Sequence, residues 1–259
     1  MGMISDGGEH GGQTSGGGEC GPRASGHGGD GSRVSGDDEC GPQASDGAER
    51  GPHVPEGAWS ARTPEETRAF FASRAAGWEE KFPDDDPAFA AAVGAMGLAG
   101  GDVVLDAGCG TARAFPPLRA AVGPAGRVIG VDLTPEMIRS ARDRGRHAHG
   151  RLLIADVGRL PLADAAVDAV LAAGLLSHLP DPAAVLGELA RVTVAGGRLA
   201  LFHPVGRAVL AARRGRVPAP GDIRAEHNLR PLLRGTGWTL TTCEDTGERY
   251  LAIALRAPH

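Results

Sequence analysis

No run of apolar residues in this 259-residue chain is long enough to cross a bilayer, and no apolar segment follows a basic start at the N-terminus. Cysteine is scarce. Of four, Cys20 and Cys40 lie in a glycine-rich N-terminal stretch and only Cys109 and Cys243 beyond it, so there is no disulfide framework. The expected setting is soluble, reducing and cytoplasmic. Lysine is nearly missing as well: Lys81 is the only one among 27 basic residues, which reads as compositional bias rather than chemistry. Nor is positive charge in excess. Beyond residue 55 the chain carries 24 bases and 23 acids, which leaves no electrostatic footprint for nucleic acid.

The first 55 residues lack large apolar side chains almost entirely. They hold 17 of the 41 glycines, nine acids and three bases, for a net charge of −6. A ten-residue unit repeats through them, with Gly11, Gly21, Gly31, Gly41 and Gly51 in register and Ser15, Ser25, Ser35 and Ser45 likewise. Such units have nothing to stack, so residues 1–57 are expected to form a disordered, acidic, glycine-rich tail. Cys20 and Cys40 with His10 or His27 match no zinc spacing, and no metal is expected.

From residue 58 the pattern changes to alternating helical and extended signals, read as one domain over 58–259. Thr63, Pro64 and Glu66 form a capping box, followed by Phe70, Phe71 and Trp78 on one side of a helix. A second helix starts at Asp86 and Pro87. Then come VVLD ending at Asp106, a helix with Phe115, Leu118 and Val122 in a stripe, and RVIGVD ending at Asp132. Thr134 is placed to cap the next helix. LLIAD to Asp156 is a third strand, VDAVLAA from Val167 a fourth, and RLALF from Arg198 a fifth; Gly196 and Gly197 read as the stop of the intervening helix. After a polar loop, Leu229, Leu232 and Leu233 mark a helix, and WTLTTCE pairs with RYLAIAL across DTGE. The fold class is therefore α/β: a Rossmann-like, doubly wound, mostly parallel seven-stranded sheet with helices on both faces and an antiparallel C-terminal hairpin.

In such a sheet ligands bind beyond the carboxyl ends of the strands. Three successive strands here end in acids, Asp106, Asp132 and Asp156. Asp132, 26 residues after Asp106, stands where a carboxylate accepts from both hydroxyls of an unphosphorylated ribose. Asp156 is then near the base, with Leu133, Met137 and Val157 available to sandwich its ring. Asp106 opposes a pyrophosphate and suits a cation. A ligand with adenosine at one end and positive charge at the other is S-adenosylmethionine.

The stretches DAGCGTA, GVDLTPEMI, ADVGRLPLADAAVDAVLAAGLLSHLPDP and AGGRLALF, taken in order over Val103 to Phe202, resemble the successive motifs of class I S-adenosylmethionine-dependent methyltransferases. The small-molecule branch similar to the ubiquinone and menaquinone biosynthesis enzymes is the nearest in pattern. Ala112 stands where that family's glycine loop has its third glycine. The resemblance implies that Asp106, Gly108, Cys109 and Gly110 wrap the methionine portion, Asp132 takes the ribose, and Asp156 and Val157 take the adenine. It also implies that Leu175, Ser177 and His178 lie near the transferred methyl group.

His178 is the first candidate base, with a turn histidine bonded to backbone as the alternative. His203 and Arg207 follow the fifth strand on the same side, as acceptor contacts or loop anchors. Arg213, Arg214 and Arg216 form either an anion site or a solvated run, and Phe70, Phe71 and Trp78 either a lid or core. The expected partner is a small-molecule acceptor methylated on oxygen, nitrogen or carbon. Two alternatives stand beside it: a non-catalytic S-adenosylmethionine-binding protein and an NAD-dependent oxidoreductase.

Overall fold

The computed structural model describes residues 62–81 and 85–258; the repeats and the boundary at residue 57 lie outside the described residues. The first helix, α1 (Pro64–Ala72), opens on the expected capping box: the Glu66 amide donates to Thr63 Oγ1 at 3.2 Å and the Thr63 amide to Glu66 Oε2 at 2.8 Å. A short 3-10 turn (Glu79–Lys81) follows, and then α2 (Asp86–Ala95). The alternating part runs β1 (Val103–Ala107), α3 (Phe115–Val122), β2 (Arg127–Asp132), α4 (Pro135–Asp143), β3 (Arg151–Ile154) and β4 (Val167–Ala173). It continues with α5 (Pro182–Val192), β5 (Thr193–His203), α6 (Arg207–Ala212), α7 (Glu226–Gly235), β6 (Trp238–Asp245) and β7 (Tyr250–Arg256).

The seven strands form one sheet in the order β3-β2-β1-β4-β5-β7-β6. The first five run parallel, and β7 is antiparallel to both β5 and β6. Strand order reverses between β1 and β4, and the crevice beyond their carboxyl ends is the place such a sheet offers a ligand. Side chains alternate between two cores. On one face Val104 of β1 packs with Phe115, Leu118 and Ile138 beneath α2, α3 and α4. On the other, Leu105 packs with Val170, Leu186, Leu189, Leu229 and Trp238 beneath α5 and α7. Two polar groups that enter the second core are matched, since Trp238 Nε1 donates to Leu186 O at 2.9 Å and the buried Arg256 Nε to Ala190 O at 2.8 Å. The buried Tyr250 hydroxyl makes no hydrogen bond among the described residues. No helix among the described residues is long and apolar enough to cross a membrane.

Four local expectations are corrected. Gly196 and Gly197 do not stop α5, which ends at Val192; they lie within β5. A Cβ on Gly197 would sit 2.5 Å from Thr193 Cγ2 and 2.8 Å from Asp168 O, so glycine is there for close approach to its neighbours. Thr134 makes no side-chain cap; its amide instead donates to Asp132 Oδ1 at 2.8 Å, an Asx turn that starts α4. Strand β3 stops at Ile154, and Asp156 sits in a turn of its own, accepting from the Gly158 amide at 2.8 Å. The loop after β5 contains α6, whose short span carries no wholly buried side chain and hence no strong apolar stripe.

Gly130, in the middle of β2, has no room for a side chain. A Cβ would lie 2.7 Å from the Phe115 ring and 2.9 Å from Cys109 Sγ. Gly130→Ala is therefore expected to lower stability by about 1–3 kcal/mol through overpacking, read as a shift in the urea midpoint with the slope unchanged.

Candidate active site

The loop after β1 is fixed by its backbone. The amides of Gly108 and Cys109 donate to Val131 O at 2.8 and 3.0 Å, and that of Gly110 to Asp132 Oδ2 at 2.8 Å. Gly108 and Gly110 take φ of +69° and +53°, and a Cβ on Gly108 would come within 2.9 Å of Leu175 Cδ1. Ala112, buried, also takes a left-handed φ of +58°. Alanine thus adopts the backbone shape a third glycine would give, at a cost of about 1–2 kcal/mol.

Asp106 is only 1 % exposed, and its Oδ2 has no hydrogen-bond partner. Burial pushes its carboxyl up to about 8, and the neighbouring Asp132 charge adds to this. Asp132 is itself raised by burial, partly offset by the amides of Thr134 and Gly110. Burial and the two carboxylates push the Cys109 thiol up as well, so it is an inert filler between the loop and Gly130 rather than a nucleophile.

One cavity of about 580 Å³, within the range of ligand sites, opens above this loop. Asp106, Gly108, Cys109, Gly110, Asp132 and Leu133 line it, as do Met137, Asp156, Val157, Leu175, His178 and His203. The structure therefore brings together all the residues singled out from the sequence for cofactor and base roles. Ser177 is on the same wall.

Phe70 and Phe71 of α1 and Trp78 in the turn after it form an aromatic cluster in the wall of the same cavity. Phe71 meets His178 edge-on with centroids 5.1 Å apart and Trp78 at 5.7 Å, and Phe70 stands 5.1 Å from Phe71. The imidazole of His178 makes no side-chain hydrogen bond among the described residues, whereas Nδ1 of His203 is engaged by its own loop, 2.9 Å from Val205 O. Burial pushes both imidazoles down to about 4, with the charges of Arg214 and Arg224 contributing to each. Both are neutral at pH 7. Arg207 anchors a loop: its Nε donates to Asp245 Oδ2 at 2.8 Å. Arg213 and Arg214 line the cavity; Arg216 is not among its walls.

The sequence reading missed an ionic knot that fastens the aromatic cluster to the glycine loop. Glu79, directly after Trp78, receives Arg113 Nη2 at 2.6 Å, Arg146 Nη1 at 2.7 Å and the hydroxyl of Thr111. Arg146 also donates to Thr111 O at 2.8 Å. Burial raises the Glu79 carboxyl, but the Arg146 and Thr111 hydrogen bonds and the two guanidinium charges outweigh it and hold the group at about 2. No local pattern signals this, because the partners are 32 to 67 residues apart.

Residues 105–201 match the profile of a family described as "Methyltransferase domain". The chain is 35% identical to the 27-O-demethylrifamycin SV methyltransferase of Amycolatopsis mediterranei, over 51% of this chain and 46% of that one. It is 36% identical to the demethylmenaquinone methyltransferase of Staphylococcus saprophyticus, over 40% and 45%. Among solved structures, the magnesium protoporphyrin IX methyltransferase of Synechocystis with bound SAH superposes with a TM-score of 0.57 at 18% identity, covering 75% of this chain and 99% of that one. The chain spans less than half the length of the curated relatives it matches. Over residues 105–201 it carries a methyltransferase domain similar to those of class I methyltransferases, a class whose methyl donor is S-adenosylmethionine.

Glu79→Gln is expected to cost about 1–3 kcal/mol, because it removes the carboxylate charge that Arg113 and Arg146 share; Arg113 also reaches Asp86 at 3.5 Å. Since the folded carboxyl lies below its ordinary 4.5, the native chain's advantage over the variant should be complete above that value and fade as pH falls toward 2. Urea melts of the two proteins across that range measure it.

Proposed function

We propose that residues 58–259 form a methyltransferase domain that transfers a methyl group from S-adenosylmethionine to a small-molecule acceptor through an oxygen, nitrogen or carbon nucleophile. The observation that carries this reading is Asp106: a buried carboxyl with an orphaned oxygen, facing a cavity shared with Asp132 and Asp156. A buried acid without a partner is costly unless a ligand completes it. The cofactor's cationic methionine end is such a complement.

The remaining residues fit the rest of the cofactor. Each Asp132 oxygen accepts one backbone amide and keeps a lone pair for a ribose hydroxyl. Leu133, Met137 and Val157 give apolar walls for the adenine, with Asp156 at its edge. Gly108, Cys109, Gly110 and Leu175 surround the methionine portion. When bound, the cofactor supplies a methyl group already activated on a sulfonium. The chain's part is to hold the acceptor in line and keep water out. His178, neutral and in the cavity wall beside Leu175, is our first candidate to accept a proton from an acceptor that still holds one; His203 is the second. Both are weak bases as held here, so they assist rather than drive the reaction. The near-neutral charge beyond residue 55 supports a small molecule over nucleic acid as acceptor.

Calorimetry tests the cofactor assignment. S-adenosylhomocysteine should bind the native chain and fail to bind Asp132→Ala, since that change removes the ribose acceptor and unties the Gly110 amide. Tight binding of NAD with none of S-adenosylhomocysteine would sink the proposal. Titration with S-adenosylmethionine tests Asp106. The group is protonated below about 8 in the free protein and must ionise to meet a cation, so binding should release a proton and affinity should rise from pH 6 to 8. The rise should not exceed tenfold per unit, and Asp106→Asn should bind without the proton release.

A further inference from the structure

The cavity wall carries both signs of charge. Asp106, Asp132 and Asp156 line it, as do Arg74, Lys81, Arg113, Arg213 and Arg214; Arg113 is committed to Glu79, whereas Arg74 lies over Phe70 beside His178, and the charge of Arg214 reaches His178. Two other acids touch it: Asp181, whose carboxylate is committed to capping α5, and Asp85 at the head of α2. Nearby arginines are neutralised by local partners, Arg224 by Asp222 at 2.9 Å and Arg207 by Asp245 at 2.8 Å. Arg74 is different. Its Nη1 donates to Phe70 O at 2.8 Å and to Ser73 Oγ at 3.0 Å, its guanidinium lies 3.7 Å from the Phe70 ring centroid, and no carboxylate pairs with it among the described residues. It is thus oriented by the backbone and a π face rather than by a counter-ion. Arg213, at the end of α6, likewise has no carboxylate partner among the described residues. The charge of Arg214 reaches both His178 and His203, and that of Arg213 reaches His203.

We infer that the methyl acceptor is a ring-bearing organic anion, its ring packed against Phe71 and Trp78 and its carboxylate or phenolate held by Arg74, Arg213 and Arg214. The inference rests on the methyltransferase reading for the identity of the cofactor that shares the cavity. Aromatic rings supply flat apolar area at low entropic cost, and guanidinium groups pair with carboxylates in a fixed two-point geometry. An ammonium acceptor is disfavoured by the same charges. A neutral acceptor would gain the ring contacts alone.

Three probes with one ring and different charges separate these cases: 2-naphthoate, 2-naphthalenemethanol and 2-naphthylmethylamine, each titrated at pH 7 into the full chain saturated with S-adenosylhomocysteine. The acid should bind at least tenfold more tightly than the alcohol, and the amine more weakly than either. The double variant Arg213→Ala/Arg214→Ala should cut the acid's advantage to threefold or less while leaving the alcohol and S-adenosylhomocysteine unchanged, and Phe71→Leu should weaken all three probes alike. An amine that binds as well as the acid, a preference that survives the double variant, or no binding of any probe to the loaded chain would overturn the acceptor class. Failure of S-adenosylhomocysteine to bind at all would instead overturn the methyltransferase reading, and the acceptor class with it.

Discussion

The site depends on one carboxylate held between two backbone amides. Asp132 accepts from Gly110 through one oxygen and from Thr134 through the other, both at 2.8 Å. The first bond closes the β1 loop onto β2, and the second starts α4. A single side chain at the end of β2 therefore fixes the two turns that border the cavity. It does this while staying in the cavity wall, with acceptor capacity left over. The parallel pairing of β1 with β2 keeps those two turns side by side, which is why the three elements cannot be rearranged separately.

Much of the architecture was legible because it rests on local chemistry. The Thr63 capping box, the Phe115, Leu118 and Val122 stripe and the Tyr250 hairpin partner are patterns whose causes lie within a few residues of one another. The acids at 106, 132 and 156 were legible for another reason. Polar residues at the exits of otherwise apolar strands have little packing use, so their recurrence marks the ligand edge of the sheet.

What the sequence hid was long-range. Gly197 looked like a helix stop, yet it is required by the closeness of the Asp168 carbonyl, a neighbour nearly thirty residues away. Ala112 looked like a lost glycine, but its burial holds alanine in the shape glycine would choose unaided. The Glu79 knot was invisible because an isolated glutamate among charged neighbours reads as a solvated surface. Only folding brings Arg113 and Arg146 to it. The cations of the cavity wall were also half hidden: the acids fall at or just beyond successive strands in sequence order, whereas Arg74 and Arg213 are 139 residues apart.

That knot makes one carboxylate common to two walls of the cavity. Glu79 follows Trp78 directly, and its partners Thr111 and Arg113 belong to the turn that contains Gly110. Loss of that single charge would loosen the aromatic wall and the glycine turn together.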